Sequence, residues 1–167
     1  MFDVSRGDFQ HKTDLYADLL TQLDGLIGDE RDGLANLANA AALLHDLLPD
    51  LNWVGFYLRR RDGLLLGPFQ GRVACVQIAL GRGVCGTAAA QKETIVVPDV
   101  HAFPGHIACD AASAAEIAVP LLLDENVLGV LDLDSPMRDR FDLDDAHGLE
   151  AVARLLVARS DWQRLVD

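Results

Sequence analysis

The spacing of apolar residues predicts long helices at both ends of the chain. In residues 15–27, leucines and an isoleucine recur three or four positions apart behind a candidate N-cap at Thr13, which places them on one helical face. Residues 34–48 repeat this spacing, and Pro49 then ends the helix. A C-terminal helix opens near residue 141, and its predicted inner face consists of Leu149, Val152, Ala153, Leu156 and Val157.

The central part of the chain predicts short strands instead. Residues 52–58 are rich in aromatic and β-branched side chains, residues 59–63 carry three arginines and a glycine, and residues 64–70 return, which indicates a hairpin with a charged tip. Further extended segments lie at 76–80, 94–97, 117–123 and 127–133, with a short helix at 87–92. Strands joined by turns and flanked by helices predict an α+β fold, in which the N- and C-terminal helices pack on a central antiparallel sheet.

Length and charge narrow the classes of function. With 167 residues, the chain is expected to form a polar N-terminal arm at 1–13 and a single domain at 14–167. A net charge of −12 disfavours nucleic acid and anionic membrane surfaces as partners, because both need clustered basic residues. The sequence contains no run of ~20 apolar residues and its polar start does not resemble a signal peptide, so we expect a cytoplasmic protein.

Three cysteines are the first candidates for chemistry. Cys75, Cys85 and Cys109 are too few for a disulfide scaffold, so they are either small buried apolar groups or redox-active thiols. Cys85 lies near the start of the predicted short helix, where the helix dipole favours a thiolate. Cys109 lies in a loop, and Glu116 follows it at the start of a strand. A thiol and a carboxylic acid in this proximity can support redox or acyl chemistry.

Acidic and aromatic side chains are candidates for the walls of a pocket around this loop. Asp132 and Asp134 are two positions apart and share one face of their strand, although they could instead end the strand and cap a turn. Trp53 and Tyr57 also share a strand face and could be ordinary core residues. Glu116 could likewise be a solvated strand start.

Six segments together give the chain a family resemblance. They are Asn52-Trp-Val-Gly-Phe-Tyr57, Gly67-Pro-Phe-Gln-Gly71, Gly83-Val-Cys-Gly86, His106-Ile-Ala-Cys-Asp110, Glu116-Ile-Ala-Val-Pro120 and Gly129-Val-Leu-Asp-Leu-Asp-Ser135. With these segments the chain resembles a GAF domain, and more narrowly the free methionine-(R)-sulfoxide reductases, from about residue 14 to residue 156. The three cysteines make the resemblance specific, because most GAF domains lack that set.

The resemblance implies an oxidoreductase that reduces free L-methionine-(R)-S-oxide to L-methionine. Cys109 would attack the sulfoxide sulfur, Cys75 would be the main resolving thiol and Cys85 a secondary partner, with thioredoxin reducing the resulting disulfide. The substrate would bind against Glu116, Asp132, Asp134, Trp53 and Tyr57. Glu116 is the preferred proton donor, and Asp132 and Asp134 are the alternatives. No cofactor is expected, and the family suggests a homodimer.

Two other functions are compatible with the same residues. A GAF-type module that senses a small molecule or a redox state would bind its ligand without catalysis, although such sensors usually relay to an attached output domain. A zinc-bound structural protein is the weaker alternative. The spacing of His101 and His106 relative to Cys109 fits none of the compact zinc patterns, so we expect no metal.

Overall fold

The computed structural model describes residues 7–105 and 111–166. The helices in these ranges are α1 (Lys12–Ile27), α2 (Gly33–Leu47), α3 (Gly83–Gln91) and α4 (Leu143–Arg159). The strands are β1 (Trp53–Arg60), β2 (Gly63–Gly71), β3 (Gln77–Ile78), β4 (Ile95–Val97), β5 (Ala115–Leu123) and β6 (Asn126–Ser135), and a 3-10 turn at Val100–Ala102 follows β4. None of the helices in the described ranges combines the length and the apolar character needed to cross a bilayer.

The six strands form one antiparallel sheet in the order β3-β2-β1-β6-β5-β4. Tight turns join β1 to β2 and β5 to β6, while β1 and β6 pair at the centre of the sheet. The predicted α+β fold with a central antiparallel sheet is therefore confirmed. The predicted hairpin at 52–70 is also present, with a turn of only Arg61 and Asp62 between its strands.

Alternating side chains give the sheet two different faces, because successive residues of a strand point to opposite sides. Val54, Phe56 and Leu133 belong to the larger core, which they share with α1, α2 and α4. Trp53 and Tyr57 belong to a smaller core on the opposite face, which α3 covers. Helices α2 and α4 contact the sheet directly, and α1 packs against both of them. The smaller core is the side on which the candidate site lies.

Two helix starts differ from the sequence prediction. The N-cap of α1 is His11 rather than Thr13, and the His11 side chain makes no capping hydrogen bond. Helix α3 begins at Gly83, four residues before the predicted start, so Cys85 lies within its first turn. Glycine is needed in this turn because Gly83 has a φ of 60°, and a Cβ on Gly86 would lie 2.3 Å from a backbone oxygen. The close approach of α3 to the sheet therefore depends on these glycines.

Candidate active site

A pocket lies between α3 and the face of the sheet that carries the smaller core. Its volume is about 510 Å³ when it is counted out to its opening to solvent. It is lined by Trp53, Tyr57, Val73, Ala74, Ile78, Arg82, Gly83, Val84, Cys85, Ser113, Glu116, Asp132 and Asp134. Six of the predicted site residues are in this lining, and Cys75 directly follows one of the wall residues. Cys109, like His106, lies outside the described residues.

Strand register brings the three carboxyl groups together. Glu116 lies directly opposite Asp134 in the β5–β6 pair, and Asp132 lies two positions further along the same face of β6. Glu116 is 7% exposed and Asp132 is 6% exposed. The alternative in which Glu116 is a solvated strand start is therefore wrong. Strand β6 continues to Ser135, so Asp132 lies within the strand and does not end it.

Burial changes the acidity of this carboxyl cluster. It raises the pKa of Glu116 from 4.5 to about 8, and the charge of Asp134 adds to the shift. Burial also raises the pKa of Asp132 well above its usual value, with the charge of Glu116 as the second cause. Because two buried carboxylates cannot both ionise cheaply, the pair retains a proton at neutral pH. The pocket can therefore supply a proton to a bound molecule.

Cys85 contributes a thiol, rather than a thiolate, to this cluster. Its Sγ lies 3.9 Å from Glu116 Oε1, to which it donates a weak hydrogen bond. Burial raises the pKa of Cys85 well above its usual value, and the charges of Asp132 and Glu116 raise it further. The prediction that the helix dipole favours a thiolate at Cys85 is wrong, because burial and two carboxyl groups outweigh the partial charge of the helix end.

The aromatic rings of Trp53 and Tyr57 form one wall of the pocket, and Phe69 stacks on Trp53. The Trp53 ring lies between Phe69 at 5.4 Å and Tyr57 at 6.0 Å, measured between ring centroids. A Cβ on Gly55 would lie 2.6 Å from Trp53 Cη2 and 2.4 Å from Phe69 Cβ. The glycine between the two aromatic positions of β1 therefore leaves the space in which the indole lies flat. Trp53 and Tyr57 therefore line the pocket and also belong to the smaller core, as the sequence alternative of core residues expected.

Substitution of Gly55 by alanine is expected to displace the Trp53 ring. The added methyl group overpacks the wall, which we expect to cost about 1–3 kcal/mol of unfolding free energy and to distort the pocket. Near-ultraviolet circular dichroism detects the displacement of the ring, and denaturant titration measures the loss of unfolding free energy.

Gly25→Ala is the matched control for Gly55→Ala, because a Cβ at Gly25 in α1 meets nothing within 4 Å. Alanine in a helix interior should stabilise the protein slightly. An unchanged aromatic spectrum in Gly55→Ala would contradict the role assigned to this glycine.

Two of these aromatic residues also hold the segment that carries Cys75. Trp53 Nε1 donates to the Arg72 carbonyl oxygen at 3.1 Å, and the Tyr57 hydroxyl donates to the Cys75 carbonyl oxygen at 3.2 Å. The backbone N–H of Leu66 donates to the Val76 carbonyl oxygen at 2.9 Å. Cys75 is a half-buried free thiol. Residues 72–76 are thus held beside the aromatic wall, and this segment carries a half-buried thiol.

Among the polar residues of the pocket lining, sequence reasoning missed two, Ser113 and Arg82. Buried Ser113 accepts a hydrogen bond from Asn52 Nδ2 at 3.0 Å, which ties the start of β1 to the chain before β5. Arg82 is exposed, is the N-cap of α3 and makes no side-chain capping bond. A basic residue beside glycines in a chain with a charge of −12 was the available signal for Arg82. No local signal marked Ser113.

Backbone hydrogen bonds close the base of the loop that leads to Ser113. Val100 N–H donates to the Ala114 carbonyl oxygen at 2.9 Å, and Ala114 N–H donates to the Ser135 carbonyl oxygen at 2.7 Å. The chain therefore leaves the sheet after β4 and returns to it at the pocket.

Comparisons with known proteins agree with the family resemblance seen in the sequence. The GAF domain family matches residues 32–159. Free methionine-R-sulfoxide reductase of Escherichia coli is 50% identical over 157 residues, which cover 92% of this chain and 95% of that protein. The reductase of the same name from Saccharomyces cerevisiae is 44% identical over 154 residues, which cover 87% of this chain and 86% of that protein.

A solved structure agrees with these relatives. The X-ray structure of free methionine-R-sulfoxide reductase from Neisseria meningitidis in complex with its substrate matches with a TM-score of 0.92 at 44% identity, and the match covers 98% of both chains. The resemblance predicted from the sequence is thereby confirmed over nearly the whole length. The chain belongs to the GAF domain family and, within it, to the free methionine-R-sulfoxide reductases.

Proposed function

We propose that this chain reduces free methionine-(R)-sulfoxide to methionine in the pocket between α3 and the sheet. The observation that carries the proposal is the buried pair of Glu116 and Asp132, whose raised pKa values keep a proton inside a pocket with an aromatic wall. Reduction of a sulfoxide needs such a proton for the departing oxygen. Epimer selectivity is taken from the names of the relatives.

The first half of the proposed reaction uses Cys109 as the nucleophile. Its thiolate attacks the sulfoxide sulfur while the buried carboxyl pair protonates the oxygen, Glu116 being the preferred donor. The transient bond between the two sulfurs and the S–O bond of the substrate both break as the oxygen passes to Cys109, which becomes a sulfenic acid. Methionine is released with its sulfur reduced by two electrons, and the Cys109 sulfur is oxidised by the same two.

The second half of the reaction regenerates the thiol. A second cysteine attacks the sulfenic acid, water leaves, and a disulfide forms that a dithiol such as thioredoxin reduces. Cys75 suits this role because it is half-buried and free, whereas burial raises the pKa of Cys85 and makes it a poor attacking thiolate. In the sequence, Cys109 stands four positions before Ser113, which lines the pocket.

Recognition of the free amino acid follows from the charges around the pocket. The substrate ammonium group can bind the carboxyl groups, and its methyl group can pack on Trp53. Its carboxylate can bind Arg82 together with the first backbone N–H groups of α3, which have no partner within the helix. A peptide-bound methionine sulfoxide offers neither charge, so the pocket favours the free amino acid.

Substitution of Arg82 by glutamine tests this carboxylate subsite. Loss of a charged hydrogen bond to the substrate should raise the KM for free methionine-(R)-sulfoxide about tenfold, while kcat stays within a few-fold of the wild-type value. The control is Arg61→Gln, which removes the same charge from the β1–β2 turn. An equal rise of KM in both variants would assign the effect to net charge instead.

The proposed activity is tested by incubating the protein with each sulfoxide epimer and a thioredoxin or dithiothreitol system. We expect methionine from the free (R)-epimer and neither from the (S)-epimer nor from an N-acetylated sulfoxide. Tight binding of the (R)-epimer without product would instead favour the GAF-type binding module. Thioredoxin as the natural reductant, a cytoplasmic location and a homodimer are part of the proposal, and sedimentation analysis tests the last of them.

A further inference from the structure

Three buried side chains in the pocket have the composition of a metal site. Cys85, Glu116 and Asp132 each offer one ligand atom, and these atoms lie within 4.8 Å of one another. All three side chains are at least nine-tenths buried. They come from α3, β5 and β6, so their positions are fixed by helix packing and strand register.

A second observation shows that one atom of this cluster is left over: Asp132 hydrogen-bonds with Cys85 and Glu116, but not through both of its oxygens. The Oδ1 atom of Asp132 is buried and has no hydrogen-bond partner among the described residues. A buried acceptor without a partner is costly, so such atoms usually mark the place of a water, an ion or a ligand. Asp132 also lines the pocket, so a group that enters from solvent can reach it.

We propose that Cys85, Glu116 and Asp132 bind a thiophilic divalent cation of the Zn²⁺ class. Zinc bonds of about 2.3 Å to sulfur and about 2.1 Å to oxygen place two ligands of one tetrahedral ion about 3.6 Å apart. The observed separation between Cys85 Sγ and Glu116 Oε1 is 3.9 Å, and all three ligand atoms lie within 4.8 Å of one another, so the site closes once they move together by roughly 1 Å. All three residues line the pocket, so a cation can reach them from solvent.

The ligand types decide which cation fits. Mg²⁺ and Ca²⁺ prefer sites made only of oxygen atoms, whereas a thiolate with carboxylates suits Zn²⁺ and its spectroscopic substitute Cd²⁺. The ion would offset the negative charge of a thiolate and two carboxylates, which the pocket otherwise avoids by keeping protons. This site uses none of the histidines considered in the sequence, so it is distinct from the zinc-bound alternative weighed there.

The location of the site predicts inhibition. This inhibition rests on the proposed function, because the ion occupies the carboxyl groups and the space that the substrate would use. Zn²⁺ and the substrate therefore exclude each other. We expect Zn²⁺ to raise the sulfoxide concentration needed for half-maximal single-turnover rate and to leave the limiting rate unchanged; a lowered limiting rate at an unchanged half-maximal concentration would overturn this assignment.

A direct binding test does not depend on turnover. Titration of the reduced protein with Cd²⁺ alone should produce a thiolate-to-metal absorption band in the near ultraviolet that saturates at one equivalent. The band should persist in Cys75→Ser and in Cys109→Ser and disappear in Cys85→Ser. L-methionine should weaken it by competition if the pocket is also the substrate site.

The outcomes separate this proposal from the proposed function. A band that survives in Cys85→Ser, or no band in the wild-type protein, overturns the metal site. A band in an otherwise inactive protein supports the metal site and counts against the reductase. Circular dichroism of Cys85→Ser confirms that a lost band is not a loss of fold; if this variant unfolds, Asp132→Asn serves instead, and its Cd²⁺ dissociation constant should rise at least about tenfold.

Discussion

Replacement of Cys109 by serine is expected to abolish methionine formation from free methionine-(R)-sulfoxide. A serine hydroxyl is not ionised near neutral pH, and its oxygen cannot take up the sulfoxide oxygen as a thiolate does when it becomes a sulfenic acid, so no alternative route through this position exists. We expect the single-turnover rate to fall at least about 10³-fold, which corresponds to about 4 kcal/mol of lost transition-state stabilisation. Quenched single-turnover experiments with mass detection of methionine measure this directly.

Cys75→Ser is the matched variant for the Cys109 experiment, because it removes a thiol but leaves the proposed nucleophile. It should release one equivalent of methionine at nearly the wild-type rate and then stall when thioredoxin is the reductant. Sustained thioredoxin-driven cycling in Cys75→Ser would transfer the resolving role to Cys85. Full activity in Cys109→Ser would end the assignment of that residue as the nucleophile.

Much of the fold was predictable because strand and helix periodicities differ so clearly in this chain. Alternation in β1 sends Trp53 and Val54 to opposite faces, and the same two-residue period places Asp132 and Asp134 together on β6. Once β1 and β6 pair at the centre, these aromatic and acidic positions necessarily share one side of the sheet. The pocket walls could therefore be anticipated from local pattern and strand adjacency.

The state of the Cys85 thiol was not predictable in the same way. The sequence places Cys85 near a helix N-terminus, which alone favours a thiolate. That inference fails because burial depends on how α3 packs over β5 and β6, whereas the raised pKa of Glu116 fits its preferred role as the acid. The helix also starts earlier than expected, since Gly83 and Gly86 permit a close backbone approach that glycine content alone does not specify.

Substitution of Glu116 by glutamine is expected to reduce activity strongly and to change how stability depends on pH. Glutamine keeps the shape of the side chain and can still accept a hydrogen bond from Cys85, but it cannot donate an acidic proton. Loss of a general acid typically costs about 10²–10⁴-fold in rate. The measurement is kcat/KM for the free (R)-epimer across pH.

The stability effect follows from the raised pKa of Glu116, about 8 in the folded protein against 4.5 ordinarily. Between these values the folded state binds more protons than the unfolded state, so the unfolding free energy of the wild-type protein falls as pH rises from about 4.5 to about 8. The slope from this group is at most about 1.4 kcal/mol per pH unit. Glu116→Gln removes this pH-dependent contribution, so the variant should be more stable than the wild-type protein at pH 8.

Glu125→Gln is the control for the Glu116 substitution. The Glu125 side chain is 92% exposed in the β5–β6 turn, where it pairs with Lys92 at 3.3 Å. Its replacement should change stability by less than about 0.5 kcal/mol and leave the pH slope intact. Urea unfolding at several pH values measures how the unfolding free energy of the wild-type protein and of each variant depends on pH. A slope in Glu116→Gln equal to the wild-type slope would mean that Glu116 is ionised in the folded pocket, and full activity would transfer proton donation to Asp132 or Asp134.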